Sequence, residues 1–426
     1  MESINRKNPP VIQAITSFNI PKSEVGFLDN NIPYRIFAGG TQEIVYIHLN
    51  FNAGSIYSNQ KLIANITSKM LLSGTNKHTA QQIADTIDFY GAEIRANCQN
   101  DYASIGLLCL NKYLDILLPL LCEIITDCTF PADELKITIA NNKHKWIEDH
   151  ENTKYLAQEK LLKLAFNNHP YSRTANLDDY DKITTQQLHE FYVNHYNASN
   201  CKVVIAGNVT ANVVKLINNT IGKIPVKEPI STPIYTIDDS LNTSPSIILK
   251  ENAVQSSLRM GFSTITMQHP DFAKLHILLT VLGGYFGSRL MTNIREEKGY
   301  TYGIYSQLQP RKQASLLRIA GDIKVGYSLI VVDEIKKELQ RLKDEPISTD
   351  ELYRVQNYMI GDLMQQFDGP LLSLFAMNNA LAIDVDASYF ANLQKNIQNA
   401  NAKELQEVAN KYFDLNRLVI AIAGKE

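Results

Sequence analysis

Lys202-Val203-Val204-Ile205-Ala206-Gly207 reads as a buried strand, and its last three residues return as Ile422-Ala423-Gly424, 217 positions further along. The same offset carries Leu188-His189-Glu190 onto Leu405-Gln406-Glu407 and Asp133-Glu134-Leu135 onto Asp350-Glu351-Leu352, the last two triplets each opening a long helical pattern. Three segments at one spacing are an internal repeat, and a repeat dictates architecture before any motif does. The 426 residues therefore divide into two units of one construction, each of a size that a single domain can have. Between them, residues 223–245 gather Pro225, Pro229, Pro233 and Pro245 among Ser, Thr, Asp and Asn, a run of breakers without sustained periodicity. This predicts an amino-terminal domain at 1–228, a linker at 229–245 and a carboxy-terminal domain at 246–426.

Within the first unit, residues 43–52 alternate as a strand and 61–72 have the apolar spacing of a helix. Thr79 and Gln82 form a capping box for a second helix, whose apolar face is Ile83, Ile87 and Tyr90 and whose stop is Gly91. A hairpin follows, 93–99 with 103–111, and then helices from Leu114, Asp133, Thr153 and Thr185. The second unit repeats the order. Strands at 246–250 and 257–262 precede helices near 271–282 and 288–297, strands at 301–307 and 316–320, helices from Tyr327, Asp350, Leu371 and Lys403, and a last strand at 418–423. Strands joined by short hairpin-like connections, with helices in runs, predict a mostly antiparallel or mixed sheet in each of two α+β domains rather than a doubly wound parallel sheet.

Composition narrows the classes. With 45% hydrophobic and 20% charged residues the chain is globular, neither disordered nor of low complexity. Forty-one basic against 44 acidic residues leave a formal charge of −3, without the basic excess of a nucleic-acid binder. No apolar run reaches the roughly 18 residues that span a bilayer. The stretch 114–125 is interrupted by Asp115 and Glu123, so a soluble chain with no membrane association is expected. Residues 1–10 carry neither an apolar stretch nor a small-residue cleavage site, which predicts a cytoplasmic location. Cys98, Cys109, Cys122, Cys128 and Cys201 are odd in number and form no Cys-x-x-Cys pair, predicting reduced thiols rather than a disulfide framework.

The nine histidines include no pair four residues apart, the spacing that puts two imidazoles on one helical face. His189-Glu190 begins like a zinc-peptidase motif, but the next histidine, His195, is six positions on and roughly 120° away around a helix. His144, Glu148, His150 and Glu151 form a denser group on a polar helix end, where a solvated charged face is the ordinary reading. Gly283-Gly284-Tyr285-Phe286-Gly287 follows a helical pattern rather than a strand and lacks the acid of a dinucleotide fingerprint, so it reads as a flexible helix–helix joint.

That joint continues into Ser288-Arg289-Leu290 and then Asn293-Ile294-Arg295-Glu296-Glu297-Lys298-Gly299-Tyr300-Thr301-Tyr302-Gly303. A Gly-Gly-x-x-x-Ser-Arg-Leu entry, an Arg in the next helix and a Tyr seven residues later on a strand resemble the carboxy-terminal domain of the insulinase-like (pitrilysin) metallopeptidases. The branch is that of mitochondrial processing peptidase and bacterial two-subunit relatives. The resemblance extends over nearly the whole chain, since family members carry two repeated α+β domains in about this length. Phe51-Asn52-Ala53-Gly54-Ser55, Ala64, and Met70 through Gly74-Thr75 resemble the segment that bears the inverted zinc motif His-x-x-Glu-His, in which two histidines bind zinc and the glutamate activates water. Aligned on Gly74-Thr75, this chain has Asn65 and Lys69 in place of the ligands and Ser68 in place of the base. An amide is a poor zinc ligand, an ammonium repels a dication, and serine is no carboxylate base. The family's third ligand would fall at 141–148, where Glu148 is the only acid.

In two-subunit members one polypeptide carries zinc and the other, lacking it, supplies an Arg/Tyr pair to its partner's site. The resemblance thus implies that Arg295 and Tyr302 bind peptide substrate, through donors able to hold a carbonyl or carboxylate. Without it, Arg295 reads as a salt-bridge partner of Glu296, Glu297 or another acid, and Tyr302 as an ordinary strand aromatic. The expectation is half of a clamshell peptidase: inactive alone, with no metal or cofactor of its own, paired in a heterodimer with a homologous zinc-bearing subunit. The alternative is a catalytically dead homologue serving as a structural or interaction protein.

Overall fold

A computed structural model describes residues 18–238 and 241–425; residues 1–10, read above for a targeting signal, lie outside them. The first half runs β1 (Glu24–Phe27), β2 (Pro33–Ala38), β3 (Ile44–Phe51), α1 (Ile63–Met70), α2 (Ala80–Phe89), β4 (Glu93–Cys98), β5 (Ala103–Leu110), α3 (Leu114–Thr126), α4 (Ala132–Glu151), α5 (Thr153–Phe166), α6 (Leu177–Tyr180), α7 (Thr185–His195), β6 (Cys201–Gly207) and α8 (Ala211–Thr220). The second runs β7 (Ser246–Leu249), β8 (Gln255–Thr264), α9 (Phe272–Leu279), π-helical turns at Thr280–Gly284 and Met291–Glu297, β9 (Thr301–Gln309), β10 (Ser315–Lys324), α10 (Ser328–Asp344), α11 (Thr349–Gln366), α12 (Pro370–Ala382), α13 (Ser388–Gln398), α14 (Ala402–Tyr412) and β11 (Val419–Gly424). The short strands β1 and β2 and the helices α6, α8 and α13 are additions to the elements expected from sequence.

Two sheets result, ordered β1-β2-β6-β3-β5-β4 and β7-β11-β8-β10-β9. Every pairing is antiparallel except β2 with β6 and β7 with β11. The strand closing each half therefore sits beside an early strand and pairs antiparallel with the next, giving two mixed α+β layers of one design. The Ile-Ala-Gly echo has a physical cause here. Gly207 and Gly424 end β6 and β11 at φ +115° and +151°, where a Cβ would lie 2.3 Å from the Ile44 carbonyl oxygen and 2.6 Å from Ser256 Cα. Neighbouring backbone comes too close for any side chain.

Strands β6, β8 and β11 are buried along almost their whole length, on both faces, and each sheet obtains part of its cover from the other half. Helix α5 lies across β8 and β11 of the second sheet, burying Leu161, Ala165 and Phe166 against Leu316, Val419 and Ala421. Its repeat equivalent α12 lies reciprocally on β6 and β2, where Leu374 and Met377 join Phe37, Val204 and Ala206. Polar contacts fix the exchange: Asn50 Nδ2 donates to Asn378 Oδ1 at 2.7 Å, Tyr102 donates to Asn379 Oδ1 at 3.0 Å, and Lys154 pairs with Asp322 at 3.0 Å. Between the halves, the described residues of 225–245 form no helix or strand. The stretch is held by Tyr235, whose N–H donates to Gln313 Oε1 at 3.0 Å, and by Gln313 Nε2 donating to the Pro233 carbonyl at 2.6 Å. Among the described residues no helix is long and apolar enough to cross a membrane. The five cysteines are free, and burial pushes the thiols of Cys98, Cys109 and Cys128 up to about 12.

Candidate functional site

Helix α1 buries Ile63, Ile66, Thr67 and Met70 at helical spacing, and this turns Asn65 and Lys69, four residues apart, towards a cavity between α1, α4 and α5. Ser68 faces the other way, buried beside the Tyr196 hydroxyl. The cavity measures about 450 Å³ and is walled from α4 by Asn142, Lys145, Trp146 and Asp149, and from α5 by Tyr155, Gln158 and Glu159. Lys69 Nζ donates to Asn142 Oδ1. Burial holds the Lys69 ammonium below its usual value, against the pull of Cys98 and Asp149.

Glu148, the one acid in the expected span of the third ligand, does not face this cavity: its side chain is 73% exposed and its nearest cation is Lys145 at 4.0 Å. The α4 residue brought to Lys69 is Asn142, a neutral amide that carries no signal in a search for acids. An ammonium bonded to a carboxamide, with a second carboxamide one turn earlier, does not fit a zinc ion. The histidines considered from the sequence, and Glu151 with them, also go elsewhere. His150 stacks on Trp146 at 3.5 Å and its Nδ1 bonds the Trp146 carbonyl at 2.8 Å, Glu151 pairs with Lys250 at 2.9 Å, and His144 and His189 are exposed. His195 is buried, with Nδ1 2.7 Å from the Asn52 carbonyl oxygen. Among the described residues no three His, Cys, Asp or Glu side chains are grouped to hold a metal.

The repeat has produced a second cavity at the matching place in the other half. Met359, Asp362, Leu363 and Gln366 of α11, offset by 217 from Asn142, Lys145, Trp146 and Asp149, line about 460 Å³ beside α9. Its wall is mainly apolar, and burial depresses the pKa of its histidine, His276.

Arg295 and Tyr302 lie apart from the α1 cavity, and neither lines it. The glycines that precede them, Gly283, Gly284 and Gly287, form a joint between helical segments, packed rather than flexible: at Gly283 a Cβ would stand 2.7 Å from the Ser306 backbone nitrogen, so the π-helical turn sits directly on β9. Beyond it, Arg289 makes a two-pronged bridge to Glu351, both contacts 2.8 Å. Asn293 Nδ2 donates to Glu338 at 2.8 Å, and Lys298 pairs with Glu334 at 2.6 Å. Sequence reading passed over these anchors because each needs an acid from α10 or α11. They hold the second π-helical segment so that Arg295 stacks its guanidinium on Phe286, 4.5 Å from the ring centre, with no acid bound to it among the described residues. Phe286 is itself 62% exposed and Tyr302, at the start of β9, 87% exposed.

Comparison with known proteins accords with this architecture. Residues 38–177 match the family described as Insulinase (Peptidase family M16), and 182–359 match its Peptidase M16 inactive domain. The chain is 23% identical over 306 residues to the Bacillus subtilis protein named uncharacterized zinc protease YmxG, covering 71% of this chain and 73% of that one. It is 22% identical over 387 residues to a Helicobacter pylori protein named non-peptidase homolog YmxG, covering 89% of each. A solved M16 inactive domain from Pseudomonas fluorescens superposes with a TM-score of 0.85 at 23% identity, over 95% of this chain and 98% of that one. Two repeated α+β layers and matches that run almost unbroken from residue 38 to 359 place the chain in the insulinase-like M16 peptidase family.

Proposed function

We propose that this chain is the zinc-free subunit of a two-subunit M16 peptidase, contributing Arg295 and Tyr302 to substrate binding at a site whose His-x-x-Glu-His helix belongs to a homologous partner. One contrast carries the reading: the α1 site has an ammonium and amides where a metal site needs imidazoles, while Arg295 is stacked on exposed Phe286 with no acid bound to it among the described residues, and Tyr302 is exposed. A cation left free of internal acids retains its donors for a peptide carbonyl or carboxylate. The name of the Helicobacter relative and the inactive-domain match support loss of catalysis in the chain itself; the name of the Bacillus relative points to zinc proteolysis within the same family.

The test is purification from the native cell, with metal analysis and an assay of chelator-sensitive peptide cleavage. Expected are no stoichiometric zinc and no cleavage with the chain alone, and cleavage when it co-purifies with a partner of similar size bearing the zinc motif. In that complex Arg295→Ala and Tyr302→Phe should each lower kcat/KM by about tenfold or more, the scale of one lost charge-assisted or phenolic contact. Recovery alone or as an inactive homo-oligomer favours the second reading, a structural or interaction protein. Unchanged turnover in both variants overturns the role given to the pair.

A further inference from the structure

The cavity of the second half differs from its repeat counterpart in charge. Lys61, Lys69, Lys145, Asp149, Glu159 and Arg173 all line the cavity beside α1, whereas among the described residues Asp362 is the only Asp, Glu, Lys or Arg lining the other. Asp362 is exposed, and its Oδ2 already accepts from Gln366 Nε2 at 2.8 Å. Five aromatic residues make up much of the remaining wall: Phe272, Tyr305, Tyr358, Tyr389 and Phe390. Tyr305 and Tyr358 are exposed and stand on the open side, while Phe272 and Phe390 are buried. The Tyr389 ring bridges the two phenylalanines, with centres 6.1 Å from Phe272 and 5.3 Å from Phe390.

His276 of α9 lines the same cavity, and both of its ring nitrogens keep accessible surface. Its carbonyl oxygen takes the Thr280 hydroxyl at 2.9 Å, but among the described residues its ring makes no hydrogen bond. Burial holds the imidazole neutral, against the pull of Asp362. A neutral imidazole offers one donor and one acceptor. An anion in this cavity would meet no cation and one acid, and a hydrocarbon would leave the imidazole unpaired once water is displaced. A neutral hydroxyl can pair with either ring nitrogen, and an aromatic ring suits the aromatic wall. The volume, about 460 Å³, is that of a small-ligand site.

We propose that this cavity binds a phenol, its ring against the aromatic wall and its neutral hydroxyl on His276. A free phenolic compound and the tyrosine of a peptide share this chemistry. The proposal rests neither on a partner subunit nor on the role given to Arg295 and Tyr302.

Met267 and Met359 line the cavity, so their methyl groups report its occupancy in the full chain labelled with methyl-carbon-13 methionine. The probes are p-cresol, which is the tyrosine side chain alone, toluene, p-toluate and N-acetyl-tyrosinamide. A purely apolar cavity would favour toluene, because the cresol hydroxyl has to shed water. Here p-cresol should move the Met267 and Met359 signals saturably, with toluene and p-toluate about fivefold or more weaker, the scale of one neutral hydrogen bond. His276→Leu, which keeps an apolar side chain of similar reach, should reverse the order of p-cresol and toluene. Ala376→Phe, which fills the cavity from α12 and leaves His276 in place, should abolish p-cresol binding while the other methionine signals stay where they were. N-acetyl-tyrosinamide binding as tightly as p-cresol supports a peptide tyrosine as the occupant, and p-cresol binding without it supports a free phenol. Toluene or p-toluate binding to the parent chain as tightly as p-cresol overturns the proposal even if both variants fail to fold. So does a His276→Leu chain that keeps the preference for p-cresol, an Ala376→Phe chain that still binds it, or the absence of any shift at Met267 and Met359 at millimolar p-cresol.

Discussion

Lys69 decides what α1 can coordinate. Its stem leaves the helix one turn after Asn65, and both point to one cavity, the geometry that two imidazoles would need to share an ion. Asn65 and Lys69 lack the donor chemistry of a metal site, and Asn142 of α4 already meets Lys69. We predict that Asn65→His, Lys69→His and Asn142→Glu together restore about one equivalent of zinc after dialysis, while the two α1 changes without Asn142→Glu retain far less. Atomic absorption on the two proteins decides it, and equal zinc in both would show that α4 has another residue in the third place. This residue marks the limit of what sequence discloses at a site. Asn65 and Lys69 could be located because the residues around them keep a family pattern, but an asparagine on a distant helix carries no sign of what it faces until the fold brings it there. Arg295 shows the same limit. Its neighbours Glu296 and Glu297 make an ion pair the natural sequence reading, and only the structure shows the guanidinium on Phe286 instead.

Helix ends and amphipathic strands were readable wherever their chemistry is local. The box at Thr79 and Gln82 is formed as expected, Thr79 accepting from the Gln82 N–H at 3.3 Å and Gln82 Oε1 accepting from the Thr79 N–H at 2.9 Å. Strands β1 and β2 were not readable, since four to six residues around Pro33 show no alternation and take their place only by pairing with β6 and with each other. The π-helical turns at Thr280–Gly284 and Met291–Glu297 were equally hidden, because a widened turn is set by what it packs on. The second of these depends on α10. Glu334 receives Lys298 at 2.6 Å, Lys337 at 2.8 Å and Asn293 at 3.3 Å, and these bonds, Lys298 first, hold its carboxyl down at about 2 from the usual 4.5. A carboxylate with a depressed pKa contributes stability that is complete above its unfolded value and is lost as pH falls towards its folded one. Glu334→Gln should therefore cost about 1 kcal/mol at pH 7, with the difference from the parent shrinking as pH falls below the usual glutamate value of 4.5. Urea midpoints at neutral and acid pH measure this; a constant difference would mean that Glu334 acts by packing alone.

At the scale of the molecule, the repeat was legible because 217 residues separate three pairs of similar segments, but the exchange of α5 and α12 was not. An amphipathic helix announces that it will cover a sheet and leaves open which one. The exchange has a consequence for stability, because neither half completes its own core: Leu374 of α12, fully buried, belongs with Phe37 and Val204 of the first sheet. Leu374→Ala should cost about 2–5 kcal/mol, as for a buried leucine whose surroundings cannot close the gap. Its place in the exchange makes the probe informative. Trp146, on α4 of the first half, reports that half's unfolding by fluorescence, while far-ultraviolet circular dichroism reports both. If each sheet depends on the other half's helix, the two signals coincide in the parent chain and both move to lower denaturant by the same amount in Leu374→Ala, though the mutated residue follows β7 to β10 in the chain. If the halves were independent, circular dichroism would separate into two steps and the Trp146 transition would stay where it was. Coincident movement would establish that the chain folds as a single cooperative body, with the Arg295 surface and the Lys69 cavity held in one fixed relation.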